Sequence, residues 1–116
     1  MKYLMLINAA LDAGGEVAGG CTPADWQLFH KEIQEAGVYL SGSSLADFTT
    51  AATVRVDDRG ERLVTDGPFA ESREVLGGYF VVDVPDLDVA LDWAARCPGS
   101  RDGGSIVVRP LADHEG

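Results

Sequence analysis

Short apolar runs bounded by turn residues predict the strands of this chain. The runs Lys2 to Asn8 and Tyr79 to Val84 carry large apolar side chains on both faces, so we expect each to form a central strand that is buried on both sides. The predicted strands are Lys2 to Asn8, Val38 to Leu40, Ala52 to Val56, Arg62 to Thr65, Tyr79 to Val84 and Ile106 to Arg109. The cluster from Ser41 to Ser44 is predicted as a turn, whose Ser and Gly residues either line a pocket or only reverse the chain.

The first helix is predicted to begin after Thr22, a typical N-cap that is followed by proline, and to run to about Ala36. Its predicted inward stripe consists of Trp26, Phe29, His30, Ile33 and Gly37. His30 is thus expected to face inward, where a histidine is more often a core residue than a catalyst. Leu28 lies on the opposite side and is predicted to be exposed.

A second helix is predicted to follow Asp86, its N-cap, and to end at Pro98-Gly99. Its predicted buried stripe consists of Leu87, Ala90, Leu91, Ala94 and Cys97. Val89 and Trp93 fall outside that stripe, so they are predicted to lie at the surface.

The order of these elements predicts an α+β ferredoxin-like sandwich, in which a split βαβ unit carries an extra hairpin that turns at Asp57 to Gly60. A length of 116 residues fits a single domain, 1–116. Two helices can cover only one face of the sheet, although the central strands are apolar on both. We therefore predict a homodimer through the open sheet face, which buries on the order of 2,000 Å².

The net charge of −10 disfavours binding to nucleic acid or to an anionic membrane surface, because both carry negative charge. No apolar run approaches a membrane span and no secretory signal is visible, so a cytoplasmic location is expected. Cys21 and Cys97 lack metal-ligand spacing and are predicted to be free thiols. The sequence has no nucleotide, dinucleotide or metal motif, so neither a cofactor nor a metal is expected.

The segment from Thr65 to Tyr79 concentrates the side chains that suggest a site. A turn explains Asp66, Gly67 and Pro68, because Asp bonds to its own backbone, Gly permits positive φ and Pro fixes φ. A role as a carboxylate in a functional site explains Asp66 about as well as a role in the turn.

A simple turn does not require the charged residues that follow. Glu71, Arg73 and Glu74 either form solvated ion pairs or belong to a site, with Arg73 as an anchor for a small organic acid and Asp66 or Glu71 as a general base. Phe69 is explained as a plug in the core or dimer, or as a platform for substrate. The candidate substrate-binding residues are Phe69, Glu71, Arg73 and Tyr79.

The run from Val64 to Glu71, followed by Leu76 to Tyr79 and Asp83 to Ala90, resembles the YCII-related family. It is closest to the subgroup named for an Asp-Gly-Pro-Phe signature, and the likeness covers nearly the whole chain. The resemblance implies a ferredoxin-like fold that dimerises through its sheet into an α+β barrel. It implies no established reaction, although an acid/base role has been supposed for a His and an Asp in the wider family. The subgroup is often linked to extracytoplasmic-function sigma factors.

The chain departs from the wider family's pattern at both supposed acid/base positions. The family's His falls near Trp26, one helical turn before His30, and Cys97 replaces the Asp that precedes a proline. We therefore expect His30 to take the place of the histidine and Asp66 that of the carboxylate, as the candidate catalytic pair.

Two functions fit these residues. The first is a cofactor-independent small-molecule binder or enzyme that transfers protons, as in elimination or isomerisation. The second is an accessory or regulatory interaction module, whose contact residues would be Leu28, Val89, Trp93 and the acidic surface.

Overall fold

The structure is a computed structural model that describes residues 1–11, 22–46, 50–66, 74–101 and 103–112. Its strands are β1 (Lys2–Ala10), β2 (Tyr39–Ser44), β3 (Ala52–Val56), β4 (Arg62–Asp66), β5 (Glu74–Asp83) and β6 (Ser105–Pro110). Its helices are α1 (Pro23–Glu35) and α2 (Leu87–Arg96), and a short 3₁₀ turn, Pro98–Ser100, follows α2. Each strand and helix expected from the sequence is present, in the expected order.

Two boundaries differ from the prediction in ways that matter for the site. The cluster from Ser41 to Ser44 is part of β2 rather than a turn, because it pairs with β5 over this length. Strand β5 begins at Glu74, five residues before Tyr79, since the chain from Glu74 to Gly78 pairs with β1. The glycine pair within it, Gly77 and Gly78, thus lies inside a strand.

The main sheet is four-stranded and antiparallel, with the order β2-β5-β1-β6, and β3 and β4 form a separate two-stranded sheet. The order of the main sheet is that of a ferredoxin-like fold once the hairpin is set aside, which confirms the predicted class. Registers in the centre place Met5 opposite both Phe80 and Val108. Strands β2 and β6 lie at the two edges of this sheet, and the candidate site lies beside β2.

Local chemistry fixes where α1 begins and ends. The Thr22 hydroxyl accepts a hydrogen bond from the Asp25 N–H (3.3 Å), and the Asp25 carboxylate accepts one from the Thr22 N–H (2.9 Å). This capping box, with Pro23 in the first turn, satisfies two backbone donors that would otherwise lack partners. The chain leaves the helix through Gly37, whose φ of 74° favours glycine.

The core lies between the helices and one face of the sheet. Tyr3, Met5, Phe80 and Val82 are buried on the sheet side. Phe29 of α1 meets them from the helix side, with its ring edge-on to Phe80 at a centroid distance of 5.8 Å. Cys97 is fully buried in the same core, whereas Cys21 lies outside the described residues.

The predicted buried stripe of α2 is right at Ala90, Ala94 and Cys97 but wrong at Leu87 and Leu91, whose place is taken by Trp93, so the helix is rotated about its axis relative to the prediction. Trp93 is only 8% exposed, whereas Leu87 and Leu91 are 47% and 46% exposed. The small side chains of Ala90 and Ala94 let the helix approach the sheet closely, and the indole of Trp93 fills the remaining space beside Phe29. The indole has more apolar area to bury than a leucine, so this rotation is favourable.

The described residues of a single copy give the second face of the sheet little cover. Leu4, Leu6 and Val81 are half-buried there, while Leu76 and Val107 are exposed. The predicted homodimer would cover this face, and it remains a prediction.

The β3–β4 hairpin extends away from the main sheet. Val54, Val56, Leu63 and Val64 are each more than half exposed. The radius of gyration is 16.2 Å, whereas a compact chain of this length has about 13 Å. The Asp57 carboxylate accepts hydrogen bonds from the N–H groups of Arg59 and Glu61, which confirms the predicted turn. Among the described residues, no helix is long and apolar enough to cross a membrane.

Candidate functional site

A cleft of about 390 Å³ lies between α1 and the edge of the sheet formed by β2. It is lined by residues of α1, of β2 and of the neighbouring β1 and β5. These residues are Ile7, Trp26, Gln27, Phe29, His30, Ile33, Tyr39, Gly42, Ser43, Ser44, Tyr79 and Phe80. The cleft therefore joins the inner stripe of α1 to the Ser and Gly cluster that the sequence left open as a pocket or a turn.

The floor of the cleft is apolar. Phe29, Ile33 and Phe80 are buried there, and Trp26 is half-buried at one side. These side chains belong to the hydrophobic core, so the floor has the fixed shape of a packed interior. A ligand in the cleft would meet a rigid apolar surface.

His30 lies at the rim of this cleft rather than in the core. The sequence prediction placed it inward, but the side chain is exposed. The reason is topological: among the strands that the structure describes, β2 is the last on this side of the sheet, so none of them covers this flank of α1. The imidazole packs edge-on against the Tyr39 ring, with a centroid distance of 5.1 Å and an interplanar angle of 78°.

A β-bulge in β2 places Tyr39 in the cleft. Tyr39 pairs with Val82, but Ser41 pairs with Val81, so Leu40 is an extra residue in the ladder. Gly42, opposite Phe80, therefore lies on the same face of the sheet as Tyr39 although the two are three residues apart. Without the bulge, side chains three apart would point to opposite faces.

Gly42 provides the space for the Tyr39 ring. A Cβ atom at this position would lie 2.8 Å from the Tyr39 hydroxyl oxygen, 2.8 Å from the Phe80 Cβ and 2.8 Å from the Tyr79 carbonyl oxygen. The phenol of Tyr39 thus lies directly over Gly42. Any larger residue would displace the hydroxyl from its position in the cleft.

The structure brings two of the six predicted site residues to this cleft, His30 and Tyr79. Tyr79 lines it from β5, next to Ser43 of β2. Its neighbour Phe80 points into the core, so the Tyr79 side chain points to the open face of the sheet, where it is 37% exposed.

The other four predicted residues are not placed by the structure. Phe69, Glu71 and Arg73 lie outside the described residues. Asp66 is described only through its backbone, as the last residue of β4, where it pairs with Ala52. The predicted pairing of His30 with Asp66 therefore stays a prediction.

Tyr39 was not predicted as a site residue from the sequence. It is the polar side chain of the cleft that contacts His30. The available signal was a tyrosine three residues before a glycine in a short edge strand. The bulge that brings the two together depends on pairing with β5, which the pattern of one strand does not reveal.

Comparison with known proteins agrees with the fold. The sequence matches the YCII-related domain over residues 1–114. The chain belongs to the YCII-related family. An uncharacterised protein of Rhizobium meliloti (strain 1021) is 40% identical over 89 residues, which span 76% of this chain and 71% of that protein. The family resemblance seen in the sequence is thus confirmed, while membership of the Asp-Gly-Pro-Phe subgroup stays a prediction.

The two positions at which the sequence resemblance predicts a departure from the wider family have different surroundings. Trp26 lies one helical turn before His30 and lines the same cleft, so the two positions share one wall. Cys97 is fully buried in the core. Among the described residues, no group of three or more His, Cys, Asp or Glu side chains could hold a metal ion.

A smaller polar notch of about 160 Å³ lies between α1 and α2. The Arg96 guanidinium lies 4.2 Å from the centroid of the Trp93 ring and forms an ion pair with Glu32. Both charged groups are partly exposed, so the pair contributes little stability. The arrangement is explained by the contact between the two helices.

Proposed function

We propose that this YCII-related protein binds a small organic molecule in the cleft between α1 and β2 and that His30 exchanges a proton with it. The observation that carries the proposal is the cleft itself, whose lining combines an apolar floor with a few polar groups of α1 and β2. Ligand sites in proteins usually have this composition, and their volumes are about 300–1,000 Å³.

His30 has the position that proton transfer requires. Its side chain is exposed at the rim, and no hydrogen bond to the ring occurs within the described part of the chain. A histidine can act as acid or base near neutral pH, and such a group contributes about 10²- to 10⁴-fold to a rate. Elimination or isomerisation by proton transfer suits this chemistry, with Asp66 as the proposed second acid/base group.

A homodimer through the open face of the sheet is part of the same proposal. The half-buried and exposed apolar side chains of β1, β5 and β6 on that face support it. Tyr79 projects from that face, so a second copy would contact Tyr79 on the side of the sheet opposite to α1. The sequence also suggested a small organic acid as ligand, held by Arg73.

The alternative function, an accessory module linked to sigma-factor signalling, has weaker support. It relied on Leu28, Val89 and Trp93 as surface contacts. Leu28 is 58% exposed, but Trp93 is buried and Val89 is half-buried. The contact surface that was predicted on α2 therefore lacks Trp93, its largest side chain.

A thermal-shift screen with small organic molecules tests the proposal. The parent protein is compared with His30→Ala and with a matched control, Leu28→Ala, which removes an exposed side chain from the other side of α1. We expect ligands that stabilise the parent and the control but have less effect on His30→Ala. Ligands that stabilise all three proteins equally would exclude His30 from the site.

A further inference from the structure

We infer that the ligand of this cleft is an uncharged, mainly apolar molecule, and that one of its oxygen atoms forms a hydrogen bond with the Tyr39 hydroxyl, which lies over Gly42. This inference rests on the proposed function and specifies its ligand class. It assigns a recognition role to Tyr39, whose position the bulge in β2 determines.

The lining of the cleft supports the inference that the ligand is uncharged and mainly apolar. Trp26, Phe29 and Phe80 offer aromatic surface, and Ile7 and Ile33 add aliphatic surface. None of the described lining residues is Lys, Arg, Asp or Glu. His30, at the rim, is the lining side chain that can carry a positive charge. A carboxylate or ammonium group that entered more deeply, onto the apolar floor, would lose water without meeting an opposite charge there, which is unfavourable. An apolar ring or chain would gain from the same desolvation.

The state of the Tyr39 hydroxyl supports the inference that the ligand forms a hydrogen bond there. A phenol can donate one hydrogen bond and accept another. Within the described residues, no hydrogen bond involves the Tyr39 hydroxyl, although the ring is half-buried. An alcohol or carbonyl oxygen on the ligand can fill this role, and it would lie close to the imidazole that contacts the Tyr39 ring.

Gly42 leaves the space that the Tyr39 hydroxyl occupies. Gly42 does not have the positive φ that requires glycine at positions such as Gly37. Space requires glycine at this position, because a Cβ atom would lie 2.8 Å from the Phe80 Cβ atom and from the Tyr79 carbonyl oxygen, as well as from the hydroxyl oxygen of Tyr39. The close approach of β2 to β5 at Gly42 thus leaves room for the phenol hydroxyl.

Four probes with the same ring test the inference: benzyl alcohol, toluene, benzoate and benzylamine. Each is titrated into ¹⁵N-labelled protein, with the indole N–H signal of Trp26 as the readout. The indole N–H of Trp93 serves as internal reference, because Trp93 is buried in the core and is not among the residues that line the cleft. We expect benzyl alcohol to bind more tightly than toluene, and the two charged probes to bind at least tenfold more weakly than benzyl alcohol.

Variants then test the role of Tyr39. Tyr39→Phe should reduce the preference for benzyl alcohol over toluene by about two- to tenfold, the range expected for one net hydrogen bond. Tyr3→Phe is the matched control, since it removes a phenolic oxygen from the core outside the cleft. Its preference should equal that of the parent, and amide spectra of all variants verify that they fold.

Three results would overturn the inference. Benzoate binding more tightly than benzyl alcohol would refute the uncharged ligand class while supporting the proposed function with a small organic acid as ligand. An unchanged preference in Tyr39→Phe would refute the role of the hydroxyl. If none of the four probes shifts the Trp26 signal, both this inference and the proposed function lose their basis.

Discussion

The orientation of α2 gives a sharp stability prediction, because it places one aromatic residue inward and a leucine two positions away outward. Trp93 is 8% exposed and lies edge-on to Phe29 at a centroid distance of 6.3 Å. Leu91 is 46% exposed. Both residues lie within the same helix, so truncating each to alanine changes mainly the packing of its side chain.

The expected magnitudes differ severalfold. Trp93→Ala removes a buried aromatic side chain and its edge-on ring contact, which together cost about 3–5 kcal/mol in unfolding free energy. Leu91→Ala removes a half-exposed side chain and should cost about 1 kcal/mol or less. For a chain of this size, each kcal/mol lowers Tm by roughly 4 °C, so we expect losses of about 12–20 °C and about 4 °C.

Urea unfolding followed by far-UV circular dichroism measures both variants without relying on tryptophan fluorescence, which Trp93→Ala would alter. The midpoint of Trp93→Ala should fall much further than that of Leu91→Ala, with similar slopes for both transitions. If Leu91→Ala proves as damaging as Trp93→Ala, α2 is turned as the sequence pattern first indicated and the described core is wrong.

Three further predictions concern the capping box, the end of α1 and the open sheet face. Thr22→Ala should lower the unfolding free energy by about 1 kcal/mol in urea titrations, through loss of the cap, and no change would contradict a role for the capping box. Gly37→Ala should destabilise by about 1 kcal/mol, because alanine is strained at a φ of 74°; an unchanged or higher urea midpoint would contradict this. If the sheet face forms the proposed homodimer, Val107→Asp should shift sedimentation from dimer to monomer, while the control Leu28→Asp should remain dimeric; a parent that sediments as a monomer would refute the dimer.

The sequence was sufficient to predict the strands, the helices and their order, because each has a strong local signal. The N-cap before α1 and the hairpin turn at Asp57 are short-range patterns of this kind. They are confirmed by hydrogen bonds between residues no more than four positions apart.

The features that could not be predicted depend on contacts between distant residues. The burial of Trp93 depends on the space that Phe29 and the small residues of α2 leave beside it. His30 lies in the predicted inner stripe of α1, but its exposure depends on β2 being an edge strand. A helix pattern alone does not reveal where the sheet beneath it ends.

The candidate site likewise has a part that could be predicted from the sequence and a part that could not. His30 and the Ser and Gly cluster were recognised from the sequence as possible site residues, but Tyr39 was not, because the bulge that aims it arises from pairing with β5. Asp66, Arg73 and their neighbours remain candidates on sequence grounds alone.

The central claim is that the cleft between α1 and β2 is a ligand site, and a fragment screen followed by NMR tests it most directly. We predict that the fragments that bind will shift the indole signal of Trp26 and the ring signals of His30 and Tyr39 together. Fragments that leave these three signals unchanged, and bind instead at the notch between Glu32 and Arg96 or nowhere, would contradict the claim.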